Sequence, residues 1–78
     1  MRRQAGLPSE FAVCIQHGED DGDLIVGKIY RVVKPKRNDR SSDIRVLDES
    51  REDYLYPREW FVPVELPLKA RKILVAIR

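Results

Sequence analysis

The apolar residues of this chain come in short runs. Phe11-Ala12-Val13-Cys14-Ile15, Leu24-Ile25-Val26, Ile29-Tyr30-Arg31-Val32-Val33, Ile44-Arg45-Val46-Leu47, Tyr54-Leu55-Tyr56 and Phe61-Val62-Pro63-Val64 are separated by segments rich in Gly, Pro, Asp, Asn and Ser. Runs this short, rich in β-branched and aromatic side chains and broken by turn formers, are strands. A helix needs an apolar stripe sustained over ten or more residues. The pattern predicts a mainly β chain of five short strands.

Along the chain, residues 1–9 (MRRQAGLPS) are polar, with Gly6 and Pro8 as breakers, and read as a flexible leader. In the first strand, Phe11, Val13 and Ile15 alternate with Ala12 and Cys14, and the small second face implies close packing there as well. The stretch from His17 to Asp23 is a loop. Gly27 interrupts the next apolar run, as a glycine does at a tight turn or bulge. Lys28 to Val33 forms the second strand. Lys34 to Asp43 (KPKRNDRSSD) is a polar connection carrying Pro35, and it reads as a long hairpin tip. Ile44–Leu47 is the third strand, residues 48–52 the turn, and Asp53–Tyr56 the fourth strand, stopped by Pro57.

Pro57-Arg58-Glu59-Trp60 fits one 3₁₀ turn with proline at a tolerated first position. Phe61–Val64 is then a fifth strand, and Pro63 puts it at a sheet edge or a bulge, because proline cannot donate to a ladder. From Leu66 the period changes. Leu66, Ala70, Ile73/Leu74 and Ile77 recur at helical spacing, with Lys69, Arg71 and Lys72 between them, and Pro67 suits a helix start. The β-prone residues Ile73–Ile77 allow a strand as the rival reading. Five short antiparallel strands suggest a small barrel or sandwich over residues 10–66, followed by an amphipathic segment over 67–78 that packs on it or on a partner.

Seventy-eight residues make one domain. A chain of this size buries about 60–65% of the surface that its unfolded form exposes, which leaves little room for a large catalytic cleft. Fifteen Lys+Arg against thirteen Asp+Glu give a net charge of +2, too small for a global nucleic-acid field. The single cysteine, Cys14, rules out a disulfide framework within the chain and reads as a buried thiol. No apolar stretch approaches the roughly 20 residues of a membrane span. Met1-Arg2-Arg3 is followed by no apolar core of a signal peptide. A cytoplasmic location is the expectation.

Two segments resemble a known family. Leu24-Ile25-Val26-Gly27-Lys28-Ile29-Tyr30-Arg31-Val32 resembles the stretch of SH3-like domains in which a diverging turn feeds the second strand. Leu55-Tyr56-Pro57-Arg58-Glu59-Trp60-Phe61-Val62 resembles their ending, in which a 3₁₀ turn joins the last two strands. The likeness covers roughly residues 11–65. It extends to small bacterial SH3-like proteins of uncharacterised function, most specifically through Asp48-Glu49-Ser50-Arg51-Glu52-Asp53-Tyr54-Leu55-Tyr56-Pro57. The resemblance implies a five-stranded SH3-like barrel with Tyr30, Val32, Tyr56 and Phe61 in its core. It sets Pro57 and Trp60 where signalling SH3 domains floor a groove for proline-rich peptides. Two aromatic walls of that groove have no counterpart here. The first strand reads Phe11-Ala12-Val13-Cys14-Ile15-Gln16 where those domains carry ALYDY, and the third opens with Ile44 where they carry tryptophan.

Three groups of residues are candidates for chemistry. Glu19, Asp20, Asp21 and Asp23, with His17 beside them, could attract a hard cation, but their spacing is not that of a calcium loop and zinc would want more His or Cys. Lys34, Lys36, Arg37 and Arg40 form a basic tip able to contact phosphates. No aromatic lies between Lys34 and Asp53 to stack on bases, so nucleic acid is the alternative partner. Tyr54, Pro57, Arg58 and Trp60 form an aromatic group suited to a protein contact. No serine elbow, phosphate-cradling glycine loop or metal cage is visible. The expectation is a non-enzymatic interaction module with no catalytic residue, metal or cofactor, whose partner is an unknown protein or, through the C-terminal segment, a second copy. No membrane partner is expected.

Overall fold

The computed structural model describes residues 10–19 and 22–76. The expected leader, residues 1–9, lies outside them. Five strands follow one another: β1 (Phe11–Cys14), β2 (Ile29–Val32), β3 (Asp43–Leu47), β4 (Asp53–Pro57) and β5 (Phe61–Val64). A 3₁₀ turn (Arg58–Trp60) precedes β5, and helix α1 (Leu68–Ala76) follows it. The helical spacing from Leu66 thus prevails over the strand propensity of Ile73–Ile77, of which Ile77 lies beyond the described residues. All strands pair antiparallel in one sheet of order β4-β3-β2-β1-β5. β5 is an edge strand, as Pro63 requires.

That order places β4 and β5 at opposite edges, while only Arg58–Trp60 separate them in sequence. A flat five-stranded sheet is about 19 Å across, from four spacings of ~4.8 Å, and a single 3₁₀ turn at ~2 Å per residue cannot cross it. The sheet is therefore strongly curled at this corner. No ladder joins β4 to β5 among the described residues, so the curl stops short of hydrogen-bonded closure.

The concave side carries the core: Ala12, Cys14, Leu24, Tyr30, Val32, Ile44, Val46 and Phe61, with Tyr56 and Trp60 packed against them. On β1 the core side is the small-residue side. Phe11, Val13 and Ile15 face the other way, and Ile15 is 51% exposed. The register explains the choice. Ala12 lies opposite Tyr30 and Cys14 opposite Phe61. The Tyr30 and Phe61 rings meet edge to face at 6.4 Å, a favoured aromatic geometry. Two large rings entering from the neighbouring strands leave space only for a methyl and a thiol between them.

Two loops fasten onto this core. Gly27 takes φ +92° in the turn closed by the Lys28 N–H donating to the Ile25 carbonyl at 3.1 Å. A Cβ there would touch nothing within 4 Å, so the glycine is required by its backbone alone. The turn between β3 and β4 is organised by Asp48, which is fully buried. Its carboxylate accepts from the Ser50 N–H at 2.9 Å, from the Ser50 hydroxyl and from the Tyr56 hydroxyl. Arg51 in this turn holds the left-handed region at φ 72°.

Helix α1 meets the sheet at Ile29 of β2, on the face opposite Tyr30. Leu66, Pro67, Ala70 and Leu74 line an apolar recess with Ile29, and Arg71 pairs with Glu10 at 2.7 Å. Leu68 and Ile73 remain 61% exposed.

Two substitutions test this packing. Ala12→Leu forces volume between Tyr30 and Phe61 and is expected to cost about 1–3 kcal/mol in a urea melt. Gly27→Ala is expected to cost about 1 kcal/mol through backbone strain alone, with the folded spectrum unchanged.

Candidate functional site

Pro57 ends β4 and begins the site. It lies opposite Asp43, at φ −57° and ψ 131°, a conformation that its ring fixes in advance. The 3₁₀ turn then brings Trp60 back over β4, where its ring sits 6.1 Å from that of Tyr56 at a tilt of 32°. Tyr56 also lies 6.2 Å from Phe61, and its hydroxyl donates to Asp48. Trp60 is half-buried on a platform that runs through Tyr56 into the buried carboxylate of the β3–β4 turn. The Cys14–Phe61 register continues one step further, with the Ile15 N–H donating to the Trp60 carbonyl at 2.8 Å. This joins the two backbones, while the exposed Ile15 side chain lies on the face opposite Cys14.

The other aromatic-group residues occupy different situations. Tyr54 shares the Tyr56 face of β4 but is 47% exposed. Its hydroxyl donates to Glu52 at 2.9 Å, and that bond to a carboxylate raises its pKa. The Arg58 guanidinium turns back to the β2–β3 loop, donating to the carbonyls of Ser41 at 2.9 Å and Asp43 at 3.0 Å. Its own N–H donates to Ser42. Arg58 thereby fixes the loop against the turn that carries Trp60.

The basic tip is divided. Lys34, Lys36, Arg37 and Arg40 are all exposed, and Arg40 also lies 3.3 Å from Asp43. Asp39, in the middle of the tip, is turned inward. It receives the Arg45 guanidinium through two bonds of 2.8 and 2.7 Å and the Lys36 N–H at 2.8 Å. These bonds, led by those from Arg45, lower its pKa from 3.8 to about 2. Arg45 also lies 3.5 Å from Asp53 on β4. The composition counts Asp39 merely as an offsetting charge. A cation at the centre of a strand, Arg45 between Ile44 and Val46, is the sequence signal that an acid must come to meet it.

A second network escapes sequence reasoning because its members are far apart in the chain. The buried Tyr30 hydroxyl donates to Glu49 at 2.6 Å and accepts from the Ile25 N–H at 2.8 Å. Lys28 reaches the same Glu49 oxygen at 2.7 Å. Burial, reinforced by the bond to Glu49, raises the Tyr30 pKa. The β1–β2 loop and the β3–β4 turn are thus joined through one phenol, and the Glu49 N–H donating to the Asp23 carbonyl at 2.9 Å adds a second link.

Of the acidic loop, Glu19 and Asp23 are exposed, while Asp20 and Asp21 lie outside the described residues. His17 is exposed, its ring bonded to the Gly18 carbonyl at 2.7 Å. The Cys14 thiol is buried and donates to the Gln16 carbonyl at 3.2 Å; desolvation raises its pKa. Among the described residues no three His, Cys, Asp or Glu side chains converge as a metal site would require, and no helix is long and apolar enough to cross a membrane. No family model, curated protein or solved structure matches this chain.

The Asp39–Arg45 pair makes stability depend on acid. The folded pKa of Asp39, about 2, lies below the ordinary 3.8, so the unfolded chain binds this proton more readily. The contribution is complete above the ordinary value and fades as pH falls through the folded one. Asp39→Asn should therefore be less stable than the parent chain at neutral pH, with a difference that shrinks between pH 3.8 and about 2. Urea melts across that range measure it.

Proposed function

We propose that this chain is a non-enzymatic protein-interaction module, an SH3-like barrel whose contact face is centred on Trp60 and Pro57. The observation that carries the reading is the half-buried Trp60, held on Tyr56, with the exposed Tyr54 on the same face of β4. An aromatic anchored from below and partly open above, near a second exposed ring, is the composition of an interface hot spot. The strand order, the curl and the 3₁₀ turn between β4 and β5 support the SH3-like part of the reading. Tyr54 adds a second exposed ring on the same face of β4, and Arg58 serves the face by bracing the turn. The partner is a protein surface, not a proline-rich peptide, because the first and third strands lack the aromatics that would slot a polyproline helix. A bacterial cytoplasmic setting belongs to the same reading. It rests on the resemblance and on the unpaired Cys14.

The basic tip is the competing surface, because Lys34, Lys36 and Arg37 are exposed. Phosphate contacts by three cations would give binding that weakens steeply with salt. An oligonucleotide titration that is salt-sensitive, and is abolished by charge reversal at Lys34, Lys36 and Arg37, would replace the protein-contact reading.

The direct test compares partners retained from a cell lysate by the immobilised chain and by two variants. Trp60→Ala removes the anchor. Ile15→Lys places a charge at the exposed residue whose N–H bonds to the Trp60 carbonyl. Both are expected to stay folded by circular dichroism and to lose the retained partner. Retention of every partner by a folded Ile15→Lys or Trp60→Ala chain overturns the reading.

A further inference from the structure

The two edges of the sheet are not equivalent. In an antiparallel ladder, successive residues point their N–H and C=O groups alternately toward and away from the neighbouring strand. Two bonds fix the phase for β4. The Asp48 N–H donates to the Glu52 carbonyl, and the Arg58 N–H donates to the Ser42 carbonyl. With the register Leu47–Asp53 to Asp43–Pro57, residues 52, 54, 56 and 58 bond toward β3. The backbone groups of Asp53, Leu55 and Pro57 therefore point away from β3, to the open edge.

The same reasoning applied to β5 gives the opposite result. The Ile15 N–H donates to the Trp60 carbonyl, so Val62 and Val64 bond toward β1 while Phe61 and Pro63 face the edge. The Phe61 N–H is taken by the Arg58 carbonyl, and Pro63 has none. Over its whole length β5 offers no strand donor. The β4 edge offers two, Asp53 and Leu55, and has neither a lysine nor an interior proline to repel a strand.

We propose that β4 pairs antiparallel with β4 of a second copy, about a two-fold axis at Leu55, to form a symmetric dimer. The strand Asp53-Tyr54-Leu55-Tyr56-Pro57 is complementary to itself in this register. Leu55 meets Leu55 and exchanges two hydrogen bonds with it. Each Asp53 N–H finds the second lone pair of the Pro57 carbonyl of the other copy, the first being used as the N-cap of the 3₁₀ turn, so both free donors are used and the N–H that proline lacks is never needed. Tyr54 meets Tyr56 on one face, and the leucines, 38% exposed in the single chain, meet on the other. Other registers lose these matches. An axis at Asp53 opposes two carboxylates, and one at Pro57 has no donor at its centre. One at Tyr54 uses the same donors but sets Asp53 against Leu55 and Glu52 against Tyr56. Four hydrogen bonds on a short edge make a weak, concentration-dependent dimer.

The test is amide hydrogen exchange by NMR together with sedimentation, from micromolar to millimolar chain. The Tyr54 and Tyr56 amides should be protected at every concentration, because they bond to β3. Those of Asp53 and Leu55 should exchange freely when dilute and become protected as the dimer forms. Leu55→Lys sets two ammonium groups face to face. It should weaken the dimer about tenfold or more and leave the protection of Tyr54 and Tyr56 intact. Ile15→Lys, which tests the Trp60 face, should leave the dimer unchanged. A chain that stays monomeric at millimolar concentration overturns the proposal. So does a dimer that survives Leu55→Lys with the Asp53 and Leu55 amides still exchanging freely, which would assign association to another surface such as α1.

Discussion

The connection between β4 and β5 governs the rest of the molecule. Three residues join strands at opposite edges of a five-stranded sheet, and the sheet has to curl to allow it. Curling gives the sheet an inside. Once there is an inside, alternation along each strand decides which side chains fill it, and the convergence of Tyr30, Tyr56 and Phe61 decides how much space β1 is allowed. The same turn that imposes the curl carries Trp60, so the half-buried tryptophan lies where the chain is most constrained. Its position follows from packing, and the Arg58 bonds to the β2–β3 loop hold the turn from the other side.

Much of the charge is used internally. Arg45 is met by Asp39 and Asp53, Lys28 by Glu49, Arg71 by Glu10, and Arg58 by backbone carbonyls. Each link joins segments that the sheet ladders leave apart: a loop to a strand, a loop to a turn, a helix to the start of β1. For a domain with so small a core, such links set the loops more than they stabilise the sheet, since exposed ion pairs contribute little in water. The Asp39–Arg45 pair, with both side chains mostly withdrawn from solvent, is the exception. It also removes the acid from the centre of the basic tip, leaving Lys34, Lys36 and Arg37 as that loop's outward charge.

The order and type of the elements are readable in the sequence because they depend on local patterns: alternation in the strands, Pro57 before the 3₁₀ turn, Pro63 on an edge strand, Gly27 in a turn with positive φ. What resists reading is any property set by a partner distant in the chain. Alternation separates Phe11, Val13 and Ile15 from Ala12 and Cys14 without saying which set meets the rings; Ala12 and Cys14 do, because the sizes of Tyr30 and Phe61 are decisive and lie in other strands, while Phe11 is buried on the other face. Leu24 is read as part of a loop-side run and is buried in the core. At the site, Trp60 and Pro57 are legible from spacing. The inward turn of Arg58, the Tyr56–Asp48 bond and the Tyr30–Glu49 link are not, since each depends on how far the sheet curls.

The curl also explains why the two edges differ. At the corner where β4 passes into the 3₁₀ turn, the edges approach one another without pairing, and the Phe61 N–H is consumed by the turn itself. A continuous β4–β5 ladder would need donors that Phe61 has given up and Pro63 does not possess. The features that prevent strand addition at β5 are therefore the same ones that leave the sheet unclosed, and they leave the Asp53 and Leu55 backbone groups directed outward without a partner strand. An edge left open because its neighbour cannot donate is a consequence of the turn chemistry. It is also what sets apart, on one small sheet, an edge that repels added strands from one that is shaped to receive its own copy.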